Sequence, residues 1–255
     1  SWIATGEWDS AIRIWETRGG GSPDGPAEQY ARVEAVEVSH DGAWFATGDL
    51  DSAVRIWDAR TNSVTALSEG HGDWVRALAV APDSSWFATV SDDRTVRLWD
   101  AHTGRMRRVL TGHTEWVTAV AVAPDGSWLA TGGHDHSVRI WDVATGHERA
   151  TLKGLGGDVH AVAIAPEGTW LAAGNNDGSI SLWDLAAEEV RATLTGADGA
   201  VSALLLSPDG RWLVSGTDQV VQIWNLRSGE CHRRLDATAT AAEIVSAITG
   251  NRCGG

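Results

Sequence analysis

Among its 255 residues the chain has two cysteines, six prolines, one methionine, one tyrosine and two phenylalanines. Two cysteines, Cys231 and Cys253, cannot build the disulfide framework of a small secreted scaffold; one bridge between them is the most they could form. Positive charge is scarce, with 20 basic against 34 acidic residues and a formal net charge of −14. Such a balance argues against a surface that neutralises the phosphates of DNA or RNA, or lies on anionic lipid. Apolar residues come in short runs, none long enough to cross a bilayer. The chain opens at Ser1 with neither an initiator Met nor a charged-then-apolar leader, so it reads as an excerpt, and it is expected to be cytoplasmic. Three catalytic signatures are also missing: the helical His-Glu-x-x-His pair, the phosphate-cradling Gly-Lys-Ser/Thr loop and the Gly-x-Ser-x-Gly elbow. Arginine outnumbers lysine 19 to 1, which hints at a GC-rich bacterial coding sequence.

Tryptophan is abundant, with 15 copies. A phrase ending in Ile-Trp or Leu-Trp returns six times and puts Trp15, Trp57, Trp99, Trp141, Trp183 and Trp224 at spacings of 42, 42, 42, 42 and 41. A fixed period of this length means an array of one supersecondary unit. In the best-formed unit, 111–153, an apolar and β-branched run 116–122 ends at Ala-Pro-Asp125-Gly126, where Pro fixes φ and Gly accepts the left-handed position. Further strands are expected at 128–132, at 137–141 and near 148–152. The same turns recur as Asp41-Gly42, Glu167-Gly168 and Asp209-Gly210, with Asp83-Ser84 departing from the pattern. Four short strands per unit make an antiparallel sheet that is apolar on both faces, so neighbours must cover it twice. A ring of such sheets does this while leaving short edges. The expected fold is an all-β propeller of six four-stranded blades, one domain over 1–255.

Gly112-His113 ahead of the first strand and Ile140-Trp141-Asp142 in the third resemble the Gly-His and Trp-Asp signatures of WD-repeat (WD40) propellers. The resemblance implies a buried tetrad, mapping onto His71, Thr89, Asp93 and Trp99 and onto His113, Thr131, Asp135 and Trp141. The His position becomes Gln29, Leu155 and Ala197 in the second, fifth and sixth repeats, and the Thr position becomes Ala173 in the fifth, so those repeats must rest more on packing. An Asp recurs six residues before each repeat tryptophan, as Asp9, Asp51, Asp93, Asp135, Asp177 and Asp218, and is read as a turn device because no catalytic carboxylate is needed six times. The first blade begins at its second strand, Trp2 to Gly6. The run 244–248 matches the missing inner strand and is expected to close the ring, the alternative being a truncated seven-bladed propeller. In that first blade, the Pro- and Gly-rich stretch 19–26 cannot make a regular outer strand.

Twelve tryptophans follow from the repeat: the six above and Trp2, Trp44, Trp86, Trp128, Trp170 and Trp212 at the start of each second strand. Trp8, Trp74 and Trp116 do not. The resemblance places them on the top face of a propeller, where partners dock, in a set with Leu50, Arg76, Asp92, His134, His160 and Asn176, and with Arg32, Glu34 and Asp158 around it. Aromatic and Arg side chains are the usual anchors of interfaces. The expectation is a non-catalytic scaffold or sensor module for a protein or peptide, without cofactor; the resemblance implies that it is part of a larger multidomain protein, similar to bacterial signalling proteins. A competing reading makes Trp74 and Trp116 caps of the blade core. His134-Asp135-His136 reads as a turn ahead of a metal pair, because zinc needs three or four converging ligands. The second functional reading is a small-ligand or metal sensor in which His134, His160 and Asp92 converge.

Overall fold

The computed structural model describes residues 2–6, 12–16, 32–197 and 199–236, the first two stretches as backbone only. All regular structure among them is β-strand, and no helix is long and apolar enough to cross a membrane. A pair, β1 (Trp2–Gly6) and β2 (Ile12–Glu16), precedes five four-stranded antiparallel sheets, each made of consecutive strands paired in chain order. The first contains β3 (Val33–Val38), β4 (Trp44–Asp49), β5 (Val54–Asp58) and β6 (Ser63–Ser68). Next come β7 (Val75–Val80), β8 (Trp86–Ser91), β9 (Thr95–Asp100) and β10 (Met106–Thr111). The third is formed by β11 (Val117–Val122), β12 (Trp128–Gly133), β13 (Val138–Asp142) and β14 (Glu148–Leu152). The fourth has β15 (Val159–Ile164), β16 (Trp170–Asn175), β17 (Ile180–Asp184) and β18 (Glu189–Leu194), and the fifth β19 (Ala203–Leu206), β20 (Trp212–Gly216), β21 (Val220–Asn225) and β22 (Glu230–Asp236).

Six four-stranded blades were expected; among the described residues there are five four-stranded sheets and the β1–β2 pair. The segment expected to close the ring, 244–248, and the stretch 19–26 that stands in place of the first blade's outer strand lie outside the described residues, as do Trp8, Asp9, Gln29 and Cys253. Cys231 is exposed and free. Elsewhere the expected strands and the observed ones agree to within about one residue, because a strand here ends where a turn residue forces it to.

Contacts divide the chain into two compact units, residues 1–131 with 140–149, and 132–139 with 150–255. In the first, the innermost strands β3, β7 and β11 follow one another, β3 against β7 and β7 against β11. Val75, Leu78, Val80, Phe87, Trp99 and Ile56 form one apolar cluster there. In the second unit β15 lies against β19, and Trp170, Leu182, Leu194, Val201, Leu213 and Trp224 are packed together. The repeat tryptophans Trp57, Trp99, Trp141, Trp183 and Trp224 are all buried. A ring of that size covers roughly 200 Å² on burial, on the order of 5 kcal/mol of transfer free energy each before entropy is counted.

The Gly one residue before the end of the second strand has a packing reason. A Cβ on Gly174 would stand 2.6 Å from Cγ1 of Val201, and Gly48 and Gly132 meet Val75 and Val159 in the same way. Sheets approach this closely because the Gly leaves room for the Val of the next inner strand. The departure at Ser84 also has a reason. Ser84 adopts φ +57, the left-handed conformation that Gly42, Gly126, Gly168 and Gly210 take in the same slot, and its Oγ accepts the His40 N–H at 3.0 Å.

Candidate functional site

Two kinds of polar cluster are set on this frame, one buried between strands and one at the turns. The buried cluster of the third repeat is complete. The Trp99 indole donates to Thr89 Oγ1 at 2.8 Å, His71 Nε2 lies 2.7 Å from the same hydroxyl, and His71 Nδ1 lies 2.9 Å from Asp93 Oδ2. Donor counting fixes the rest: Thr89 receives the indole proton and gives its own to Nε2, so Nδ1 carries the proton that goes to Asp93. Burial would raise the Asp93 carboxyl, but hydrogen bonds from His71, Thr95 and the Gly72 N–H outweigh it and hold the group well below the ordinary carboxylate range. In the fourth repeat, His113 Nε2 and the Trp141 indole both meet Thr131 Oγ1 at 2.8 Å, and Asp135 receives the Ser137 N–H and hydroxyl.

The turn role of the recurring Asp is visible in four repeats. Asp51, Asp93, Asp135 and Asp177 each accept the N–H two residues on, at 2.9 to 3.2 Å, across a residue at positive φ: Ser52, Arg94, His136 and Gly178. In the sixth, Thr217 takes the duty, its Oγ1 accepting the N–H groups of Gln219 and Val220.

The second kind of cluster lies where the inner strands begin, and it depends on a feature invisible in the residue pattern. The pairings β3–β4, β7–β8 and β15–β16 slip by one residue near their start, so Glu34, Arg76 and His160 are each the extra residue of a β-bulge. A bulge re-aims its side chain out of the ladder. Arg76 is turned towards the following turn, where its Nε and Nη2 donate to Asp92 at 2.8 and 2.7 Å, with Glu34 3.6 Å from Nη1. The Asp92 bonds hold the guanidinium pKa above its ordinary value.

Over this fixed cation stand two indoles. The Arg76 guanidinium carbon is 4.8 Å from the Trp74 ring centroid and 5.7 Å from that of Trp116, so the cation is bracketed by both. Trp74 is 42% exposed and Trp116 45%, against 8% or less for Trp57, Trp99, Trp141, Trp183 and Trp224. Such exposure argues against the reading of these rings as core caps. Beside Arg76, a groove of about 470 Å³ runs between β3 and β7, lined by Val33, Glu34, Val36 and Leu78 among others. Leu50 occupies the corresponding turn of the preceding sheet, where its N–H meets the Arg32 carbonyl.

In the second unit, His134, Asp158 and His160 come together, with ligand atoms all within 4.8 Å of one another. The convergence of His134 and His160 with Asp92 therefore needs correcting: Asp92 is engaged by Arg76, and Asp158 is the acid beside the two imidazoles. Asn176 belongs to this second group, since its Nδ2 donates to Asp158 Oδ2 at 3.1 Å and its N–H to the Asp158 carbonyl at 2.9 Å.

Repeated four-stranded sheets, pinned by buried Trp–Thr–His chains and offering their turns as a surface, define a repeat-built all-β protein. The WD domain, G-beta repeat (WD40) family matches residues 26–58, 62–100, 104–142, 146–184 and 188–225, and the chain belongs to that family. No curated protein matches it. The matched stretches are offset from the sheets: 62–100 begins with β6, the outer strand of one sheet, and continues through β7, β8 and β9 of the next.

Proposed function

We propose that the chain is a non-catalytic interaction module whose docking surface is centred on Trp74, Arg76 and Trp116. WD40 repeats generally mediate protein–protein assembly. The observation that carries the site is the bracketed guanidinium: two half-exposed indoles are held in place by a cation that is itself anchored to Asp92. Rings immobilised in advance lose little side-chain entropy on binding, and covering them is worth roughly 25 cal/mol per Å² of apolar surface. Arg76 is already neutralised, Asp73 and Glu115 adjoin the two indoles in sequence, and the net charge is −14. The partner this chemistry favours is a peptide segment with an apolar anchor flanked by Lys or Arg. Catalysis is not favoured, since Asp93, Asp135 and Asp177 are engaged in turns.

Around this site the wider reading is a single six-bladed propeller over 1–255, closed by 244–248 on the β1–β2 pair, within a larger cytoplasmic signalling protein. The short two-stranded β1–β2 sheet and the match of 244–248 to an inner strand favour it.

A random peptide library displayed on phage and panned on the full chain tests the docking surface. Apolar-plus-basic peptides should be enriched, and Trp74→Ala with Trp116→Ala should weaken their binding at least tenfold while leaving the melting temperature within a few degrees of the parent. A double variant that binds these peptides as the parent does, or that unfolds, overturns the proposal.

A further inference from the structure

Beyond the indole surface, we infer that His134, Asp158 and His160 form a binding site for a divalent transition metal of the zinc class. Two imidazoles and one carboxylate are a borderline nitrogen and oxygen donor set, which suits Zn²⁺ and its Irving–Williams neighbours better than Mg²⁺ or Ca²⁺. The three residues come from two places in the fold: His134 directly follows β12, Asp158 directly precedes β15, and His160 is the bulged second residue of β15. The bulge gives His160 its direction, and a regular strand would not.

The geometry is near that of a metal centre. His134 Nδ1 lies 3.9 Å from Asp158 Oδ2, and the His134 and His160 rings meet edge to face, centroids 5.2 Å apart at 76°. Ligand atoms around a tetrahedral zinc stand about 3.4 Å apart, given bonds of roughly 2.0–2.2 Å. From separations of at most 4.8 Å, small side-chain rotations close the set on an ion. An outer layer is also present, because the Asn176 amide donates to Asp158 Oδ2 and orients the carboxylate. The fourth position falls to water or to His136, whose Nδ1 is 3.5 Å from Asp158 Oδ1 and whose side chain is 62% exposed. All three core residues are partly buried, so the ion is reachable and incompletely hydrated.

A metal held there ties the turn after β12 to the start of β15, so binding should stabilise the fold increasingly, with the logarithm of metal concentration once the site is filled. The test is competition for Zn²⁺ against a chromophoric chelator, using the full chain without a histidine tag. One Zn²⁺ per chain is expected, and His134→Ala, His160→Ala and Asp158→Asn should each weaken binding by 10-fold or more. His147→Ala, His232→Ala and the Trp74→Ala/Trp116→Ala pair should leave it unchanged, which separates this site from the indole surface. Near-ultraviolet circular dichroism verifies that each variant folds, and Zn²⁺ should raise the melting temperature of the parent but not of His160→Ala. Co²⁺ should show ligand-field bands without a thiolate charge-transfer band, separating this site from one built on cysteine. No stoichiometric Zn²⁺ binding, binding undiminished in the folded His160→Ala and Asp158→Asn variants, or a thiolate band on Co²⁺ would overturn the assignment. His136→Ala decides the fourth position: a further loss of affinity assigns it to the imidazole, and none assigns it to water.

Discussion

The third and fifth repeats share one backbone plan and solve the burial of one tryptophan differently. In the third, the Trp99 indole reaches Thr89, the hydroxyl reaches His71, and the imidazole reaches Asp93, so each polar atom of the chain is answered. In the fifth, Leu155 stands at the His position and Ala173 at the Thr position, both essentially fully buried, and the Trp183 Nε1 has no hydrogen-bond partner among the described residues. An unanswered buried N–H costs about 1–3 kcal/mol. The fifth repeat still forms its four paired strands, with Asp177 holding the same turn. The polar chain is therefore a stabilising addition to a sheet that apolar packing and the turn already specify. The sixth repeat lies between them: Ser215 replaces the Thr and still accepts the Trp224 indole at 2.9 Å.

Cutting each repeat at its own support should expose the contrast most strongly. Leu155→Ala is expected to lose about 2–5 kcal/mol in urea unfolding, because it leaves a cavity under a sheet with no polar network to fall back on. Added apolar volume nearby, and not a restored imidazole, should recover it. His71→Ala should lose roughly 1–3 kcal/mol by leaving Thr89 and Asp93 partly unanswered. An equal urea midpoint for His71→Ala and the parent would remove the distinction between the two repeats.

Acid should act on the third repeat specifically. The Asp93 carboxyl is depressed in the folded protein, so its contribution is fully present above the unfolded pKa near 3.8 and is lost as the pH falls towards the folded value. The parent should therefore lose more stability between about pH 5 and 3 than Asp93→Asn does, measured by the shift of urea midpoint with pH. The smallest change should come from giving the fifth repeat what it lacks. Ala173→Ser offers Trp183 the acceptor that Ser215 gives Trp224, and should raise stability by about 1 kcal/mol. A loss instead would mean that Ala173, with no exposed surface, has no room for an oxygen.

Strands and turns were legible because they are written in a period of two bounded by Pro, Gly and Asp, and because the same phrase recurs at 42 residues. The chain His71–Thr89–Trp99 was legible through the resemblance alone, since nothing local links residues so far apart. At the turns the sequence was less informative. Arg76 and Asp92 were both candidates, yet their pairing depends on a bulge that no residue announces, and that pairing removes Asp92 from the histidines. Asp158 had been placed at the margin of the set because its alliance with His134 joins two sheets, a relation fixed by packing and not by spacing. Arg76 was placed in one set with the indoles, and its guanidinium carbon comes within 4.8 and 5.7 Å of their two ring centroids.

The offset between sequence repeat and sheet bears on how such an array can change in length. Because 62–100 carries the outer strand of one sheet and the inner three of the next, neither end of the repeat coincides with the end of a sheet. Unequal recombination between two copies at the 42-residue spacing joins the outer strand of one to the inner strands of another, in frame and with the turn chemistry unbroken. Every resulting sheet is then a chimera of neighbouring copies, joined across the hydrogen-bonded pair of its third and outer strands, so sheets can be gained or lost with four strands kept in each. The same lapping means that no single repeat can be excised as a self-sufficient piece, which selects for arrays that grow and shrink as arrays.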